Sequence, residues 1–108
     1  MSIARSLNEA FILKGKVKML ILKSSQDLIC NNVFCEKVSQ PCICRLERVL
    51  NKIDAKDLIH LDLSNNNMTA LPPSLMKLTE LRELNLSGNN FASLPDMLNN
   101  LKKCKVIL

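Results

Sequence analysis

Residues 58–78 and 81–101 are two copies of one pattern, set 23 residues apart. Leu58, Leu61, Leu63, Asn66, Met68, Leu71, Pro72, Leu75 and Leu78 map one for one onto Leu81, Leu84, Leu86, Asn89, Phe91, Leu94, Pro95, Leu98 and Leu101. A fixed period between about 20 and 50 residues marks one structural unit stacked against copies of itself. Each unit buries its apolar side only against its neighbours. Such chains therefore grow as open stacks, which build extended binding surfaces more readily than enclosed pockets.

Within a unit each position has a physical task. Leu61-Asp62-Leu63 and Leu84-Asn85-Leu86 alternate apolar and polar residues, as a short strand with one buried face must. Leu58 and Leu81 close the inner layer ahead of that strand. Asn66 and Asn89 fall where the chain turns away. An amide there offers both donor and acceptor to the backbone groups of the turn, and stacked units align these amides as a ladder. Pro72 and Pro95 fix φ at the start of the return leg, where no ladder hydrogen bond is needed. Leu75, Leu78, Leu98 and Leu101 then turn one stripe of a short helical or 3₁₀ segment to the core. Cys104 and Ile107 continue the same spacing and are expected at the positions of Leu81 and Leu84 in a third, truncated copy.

The pattern L-x-x-L-x-L-x-x-N-x-Φ-x-x-L-P-x-x-L-x-x-L, present twice between residues 58 and 101, resembles the leucine-rich repeat family. More narrowly, it is similar to the 23-residue Leu-Pro class of intracellular Ras-group and scribble-type scaffolds. The resemblance implies an α/β fold, a short right-handed solenoid with a parallel sheet on its concave face. It also implies protein recognition as scaffold or adaptor work in signal transduction. The alternative is the targeting or substrate-recognition part of a larger signalling enzyme or ubiquitin-ligase complex.

Residues 1–57 are less regular and are read as an N-terminal cap, with the repeats in residues 58–108. Ile3, Leu7, Ala10 and Phe11 fall at helical spacing, with Gly15 placed to end the helix. Val17 to Leu22 reads as a buried strand with Leu20 and Leu22 facing in. Residues 24–40 yield no assignment. From Pro41 the pattern is helical again, with Ile43, Leu46, Val49, Leu50 and Ile53 on one face and Arg45, Glu47, Arg48 and Lys52 off it. Terminal units of a stack must cover an otherwise open apolar face, and this helix lies where such a cap is needed. At the other end, the apolar Val106-Ile107-Leu108 strand is a template for edge pairing. A fragment or short isoform, self-association through that edge, and a stable monomer all remain open.

Composition narrows the function classes. Three Phe and no Trp or Tyr require an aliphatic core. No run of residues is long and apolar enough for a membrane span, and Lys14, Lys16 and Lys18 interrupt any N-terminal apolar leader. A cytoplasmic chain is expected; mitochondrial or membrane-peripheral placement is the alternative that the basic N-terminus leaves open. The net charge of +5, with Arg5, Lys14, Lys16, Lys18 and Lys23 against Glu9 at the N-terminus, is read as a solvated basic face. No aromatic interleaving or nucleic-acid motif accompanies it. Cys30, Cys35, Cys42 and Cys44 cluster, but their spacing lacks the paired C-x₂₋₄-C elements of zinc sites. Cysteine-rich caps of extracellular relatives place the close C-x-C pair first, whereas Cys42-x-Cys44 comes last here. Reduced, partly buried thiols are the preferred reading, and zinc and disulfides stay open. Cys104 is fifth from the end, one place off a prenylation box.

No catalytic set, cofactor motif or metal site emerges, and the chain is read as non-enzymatic. His60 and Asp62 share a strand face, where recognition is the commoner role for such a pair. Outward strand positions supply the expected protein-binding face: His60, Asp62 and Ser64 in the first copy, and Glu83, Asn85 and Ser87 in the second. Arg82 lies at the margin and Lys105 opens the third strand. Parallel stacking makes His60 a lateral neighbour of Glu83, and Asp62 of Asn85. Replacing Asp62 and Asn85 together by Arg is expected to abolish partner capture with the melting temperature nearly unchanged.

Overall fold

In a computed structural model of the chain, the described residues are 3–12, 17–23, 28–29, 33–35, 43–52, 57–91, 98, 101 and 103–108. Gly15, Ile53, Leu94, Pro95, Cys30 and Cys42, which carried expectations above, lie outside them. The elements in order are β1 (Ile3–Ala4), α1 (Leu7–Ile12), β2 (Met19–Ile21), α2 (Cys44–Leu50), β3 (His60–Asp62), a 3₁₀ helix (Pro73–Lys77), β4 (Glu83–Asn85) and β5 (Lys105–Ile107). The strands form a single sheet in the order β1-β2-β3-β4-β5, and every neighbouring pair is parallel. Parallel neighbours in chain order require a crossover after every strand. Helices α1 and α2 and the 3₁₀ helix supply it from β1 to β4, packed in a layer behind the sheet, α1 on α2 and α2 on the 3₁₀ helix. The fold is a short α/β leucine-repeat solenoid.

Alternation decides which side chains go inside. Ala4, Leu20, Leu61 and Leu84 stand opposite one another across β1 to β4 and are buried. Behind them lie Leu46, Val49 and Leu50 of α2 and Leu75 and Leu78 of the return leg, in one apolar cluster running from Ala4 to Leu101. Among the described residues the buried core members are Leu, Val and Ala, with Met68.

The N-terminal segment departs from the expected helix, strand and helix in one respect. Ile3 is not on the first helix; it is in edge strand β1, paired with Met19. The helix begins at Leu7 because Ser6 and Glu9 form an N-terminal box: the Glu9 amide donates to Ser6 Oγ (3.1 Å) and the Arg5 amide to Glu9 Oε2 (2.7 Å). Leu7 and Ala10 face the core. Both β1 and β2 belong to the sheet of the repeats, and α2 lies behind it in the layer of the 3₁₀ helix. Glu47 of α2 binds that helix directly. Its Oε2 accepts from the backbone amide and hydroxyl of Ser74, at 3.2 and 3.0 Å. Lys77 adds a 2.7 Å bond to Asn51 Oδ1.

The third copy needs correction. Cys104 stands where Leu81 does, since its amide bonds Leu101 O as that of Leu81 bonds Leu78 O. Beyond it the strand shifts by one residue: Val106, not Ile107, stands opposite Leu84, and Ile107 stands opposite Asn85. In β3 and β4 the residue before the strand shares a carbonyl with the next: Ile59 and His60 both donate to Lys18 O, and Arg82 and Glu83 both to Ile59 O. In β5, Lys105 alone takes Arg82 O. The shift sets Val106 against the core and turns Lys105 outward, while Leu108 beyond the strand stays exposed. The unshifted register would turn Ile107 inward and the charged Lys105 with it.

Candidate functional site

The face of the sheet turned away from the helices carries two rows. One runs Ile3, Met19, His60, Glu83, Lys105 and the other Ile21, Asp62, Asn85, Ile107. All of these side chains are half-buried or exposed, as expected for residues that lie side by side on a sheet with nothing above them. Of the residues expected here, His60, Asp62, Glu83, Asn85 and Lys105 are brought together on this face. His60 Nδ1 lies 3.0 Å from Glu83 Oε2. Arg82 is exposed at the margin, and its backbone carbonyl accepts from Lys105.

Ser64 does not face outward. It is 2 % exposed, with its amide and hydroxyl both donating to Asp62 Oδ1, at 2.9 and 2.7 Å. Ser87, half-buried, makes the same two bonds to Asn85 Oδ1, at 3.0 and 2.7 Å. The physical reason is local. A carboxylate or amide oxygen two residues before a serine closes the turn that follows the strand. Asp62 and Asn85 therefore both face outward and hold the turn, so replacing them by Arg removes four hydrogen bonds and lowers stability. The expectation of an unchanged melting temperature does not survive this geometry.

Ile3, Met19, Ile21 and Ile107 are the face residues that the repeat pattern did not provide. A signal existed for two of them: once Leu20 and Leu22 are read as inward, alternation turns Met19 and Ile21 outward. With these included, the face is apolar on β1 and β2, acidic and amide-bearing on β3 and β4, and mixed on β5.

Beneath the face the two asparagines hold the turns. Asn66 Nδ2 donates to the carbonyls of Leu22, Leu63 and Ser64 (2.8, 2.9 and 3.1 Å). Asn89 Nδ2 donates to those of Leu63, Leu86 and Ser87 (2.8, 3.0 and 3.5 Å). Asn89 Oδ1 accepts from the amides of Asn66 and Met68, both at 3.0 Å. One amide thus ties β2 to β3 and the next ties β3 to β4, fixing the outward rows at constant spacing. Burial, and after it the carboxylate of Glu83, raises the Cys104 thiol above its ordinary pKa. It is a neutral filler at the edge of the core. Among the described residues no three His, Cys, Asp or Glu side chains are placed to hold a metal ion. No helix among them is long and apolar enough to cross a membrane.

Comparison with curated proteins returns no match. Residues 56–103 match the family model described as leucine rich repeats, in two copies. Register, ladder and family match agree on the same two units, and this part of the chain belongs to the leucine-rich repeat family.

Proposed function

We propose that the chain is a non-enzymatic adaptor of the Leu-Pro, scribble-like class and that the outward rows of β1 to β5 are its contact surface. Protein–protein interaction is the general work of the family, and the partner proposed here is a protein segment. The observation that carries the reading is the outward face itself. It brings Met19 and Ile21 beside His60, Asp62, Glu83 and Asn85 on strands held in fixed register. Such a face suits a segment with apolar side chains at one end and hydrogen-bond donors at its centre, where two carboxylates accept.

Size argues for a weak complex. Five strands about 4.8 Å apart and three residues of about 3.3 Å each give a face of roughly 19 by 10 Å. That is about 200 Å² in plan, against roughly 800 Å² per partner in a standard interface. A partner must also use the margins at Lys18 and Arg82, and a Kd on the order of micromolar is expected. The test is affinity capture with mass spectrometry, comparing the wild-type chain, Ile21→Arg with Glu83→Arg, and Arg48→Glu on the exposed side of α2. Proteins captured by the wild type and by Arg48→Glu should be lost from the double variant. Equal capture by all three would remove the proposal.

A further inference from the structure

Two thiols that the contact face does not use lie against one another. Cys35 Sγ and Cys44 Sγ are 3.7 Å apart, and both residues are half-buried and outside any disulfide. Cys44 opens α2, a helix anchored by the buried Leu46, Val49 and Leu50. Cys35 closes a turn whose Val33 and Phe34 are 76 % and 94 % exposed, the most exposed large apolar residues described. One thiol is thus fixed by the core and the other rides on a surface turn. Four cysteines close in sequence allow three ways of forming two disulfides, and among the described residues Cys35 and Cys44 are the pair brought together.

We propose that Cys35 and Cys44 form an oxidisable dithiol, a modification site for a peroxide-class oxidant that tethers the Val33–Phe34 turn to α2. The thiolate of one cysteine attacks a peroxide oxygen, giving a sulfenic acid and releasing water. The second thiolate attacks that sulfur and a second water leaves. Two thiols and one hydrogen peroxide become one disulfide and two waters. The sulfurs need close only from contact to the ~2.05 Å of a disulfide. Half-burial matters on both sides: peroxide can reach the sulfurs, while the partner thiol stands ready to capture the sulfenic acid before further oxidation. A thiol reductant reverses the step.

The test uses the full chain carrying Cys30→Ser and Cys42→Ser, which keeps Cys35, Cys44 and Cys104, with wild type mapped in parallel. After stoichiometric hydrogen peroxide, alkylation of the unfolded double variant should find one thiol in place of three, and reductant should restore three. Peptide mapping should join Cys35 to Cys44 in both proteins, with Cys104 reduced as the internal control. Chymotryptic cleavage after Phe34 in the native protein should slow several-fold on oxidation. Three thiols surviving peroxide, sulfinic acid at either position, or pairing of Cys35 with Cys30 or Cys42 in the wild type would overturn the proposal.

Discussion

Gly88 holds φ at +71°, and a Cβ there would overlap the side-chain amide of Asn65. The same position one unit earlier is filled by Asn65 itself, at φ +57°, one of the few side chains that tolerates this region. Gly88→Ala is therefore expected to cost about 1–3 kcal/mol from backbone strain, with more from the overlap. Urea denaturation of Gly88→Ala alone and with Asn65→Gly checks this: the cost should fall in the double variant, because the overlapping amide is gone. Asn89→Ala removes the acceptor used by the Asn66 and Met68 amides and the donor to three carbonyls. Each group left unpaired costs about 1–3 kcal/mol, and the same denaturation curves should show the loss. The repeat itself supplies a control. Asn85 makes the bonds that Asp62 makes, so Asp62→Asn should change stability by less than about 0.5 kcal/mol while removing a charge from the face. For Cys104, burial favours the neutral thiol in the folded state. Its contribution to stability is complete below the unfolded thiol's pKa of about 8.5 and is lost as pH rises through the raised folded value. Cys104→Ala should flatten that alkaline decline in melting temperature. The ladder asparagines and outward strand positions were readable because each performs a task twice. The burial of Ser64 was not, since alternation extended past the strand's end misses the turn in which its hydroxyl folds back on Asp62.

Elements were legible in proportion to how faithfully they repeat. Strands β3 and β4 follow from period alone, and side chains 23 positions apart meet laterally, His60 with Glu83 in the strands and Asn67 with Asn90 beyond them. Glu80 and Lys103 continue the trend at 3.2 Å. Strand β1 was missed, and β2, read from its own apolar run, could not be placed in the repeat frame, because their crossovers differ in length. Ala4 to Leu20 and Leu20 to Leu61 span sixteen and forty-one residues, against twenty-three from Leu61 to Leu84. A search at one period cannot register them. Strand β5 was found but placed one residue off, because the pattern was extended by counting, whereas the shifted frame sets Val106 against the core and keeps Lys105 outward. The tie between α2 and the 3₁₀ helix also escaped a one-dimensional reading: Glu47 looks like a solvated residue until Ser74 is brought to it. Glu47→Ala is expected to lower stability by about 1.5–3 kcal/mol, the range for hydrogen bonds to a charged group, measured by chemical denaturation. Ser74→Ala in the same background should add little, because the carboxylate that its hydroxyl serves is already gone.

Across the whole molecule a single apolar cluster joins Ala4 of β1 to Leu101 beyond β4, so the N-terminal strands and the repeats share one core. Truncating that core at either end should have comparable consequences. Leu20→Ala and Leu84→Ala are each expected to cost about 2–5 kcal/mol. One transition should be seen in both, with probes in β2 and β4 melting together; separate transitions would divide the chain. This shared core is what carries Met19 and Ile21 into line with His60, Asp62, Glu83 and Asn85, and the functional proposal depends on that line. The most direct test is amide chemical-shift mapping of the full chain titrated with a captured partner. The account predicts that perturbations concentrate on Met19, Ile21, His60, Asp62, Glu83, Asn85 and Lys105, with Arg48 and Lys77 unmoved. Perturbations gathered on α2 and the 3₁₀ helix, with the sheet face silent, would contradict it.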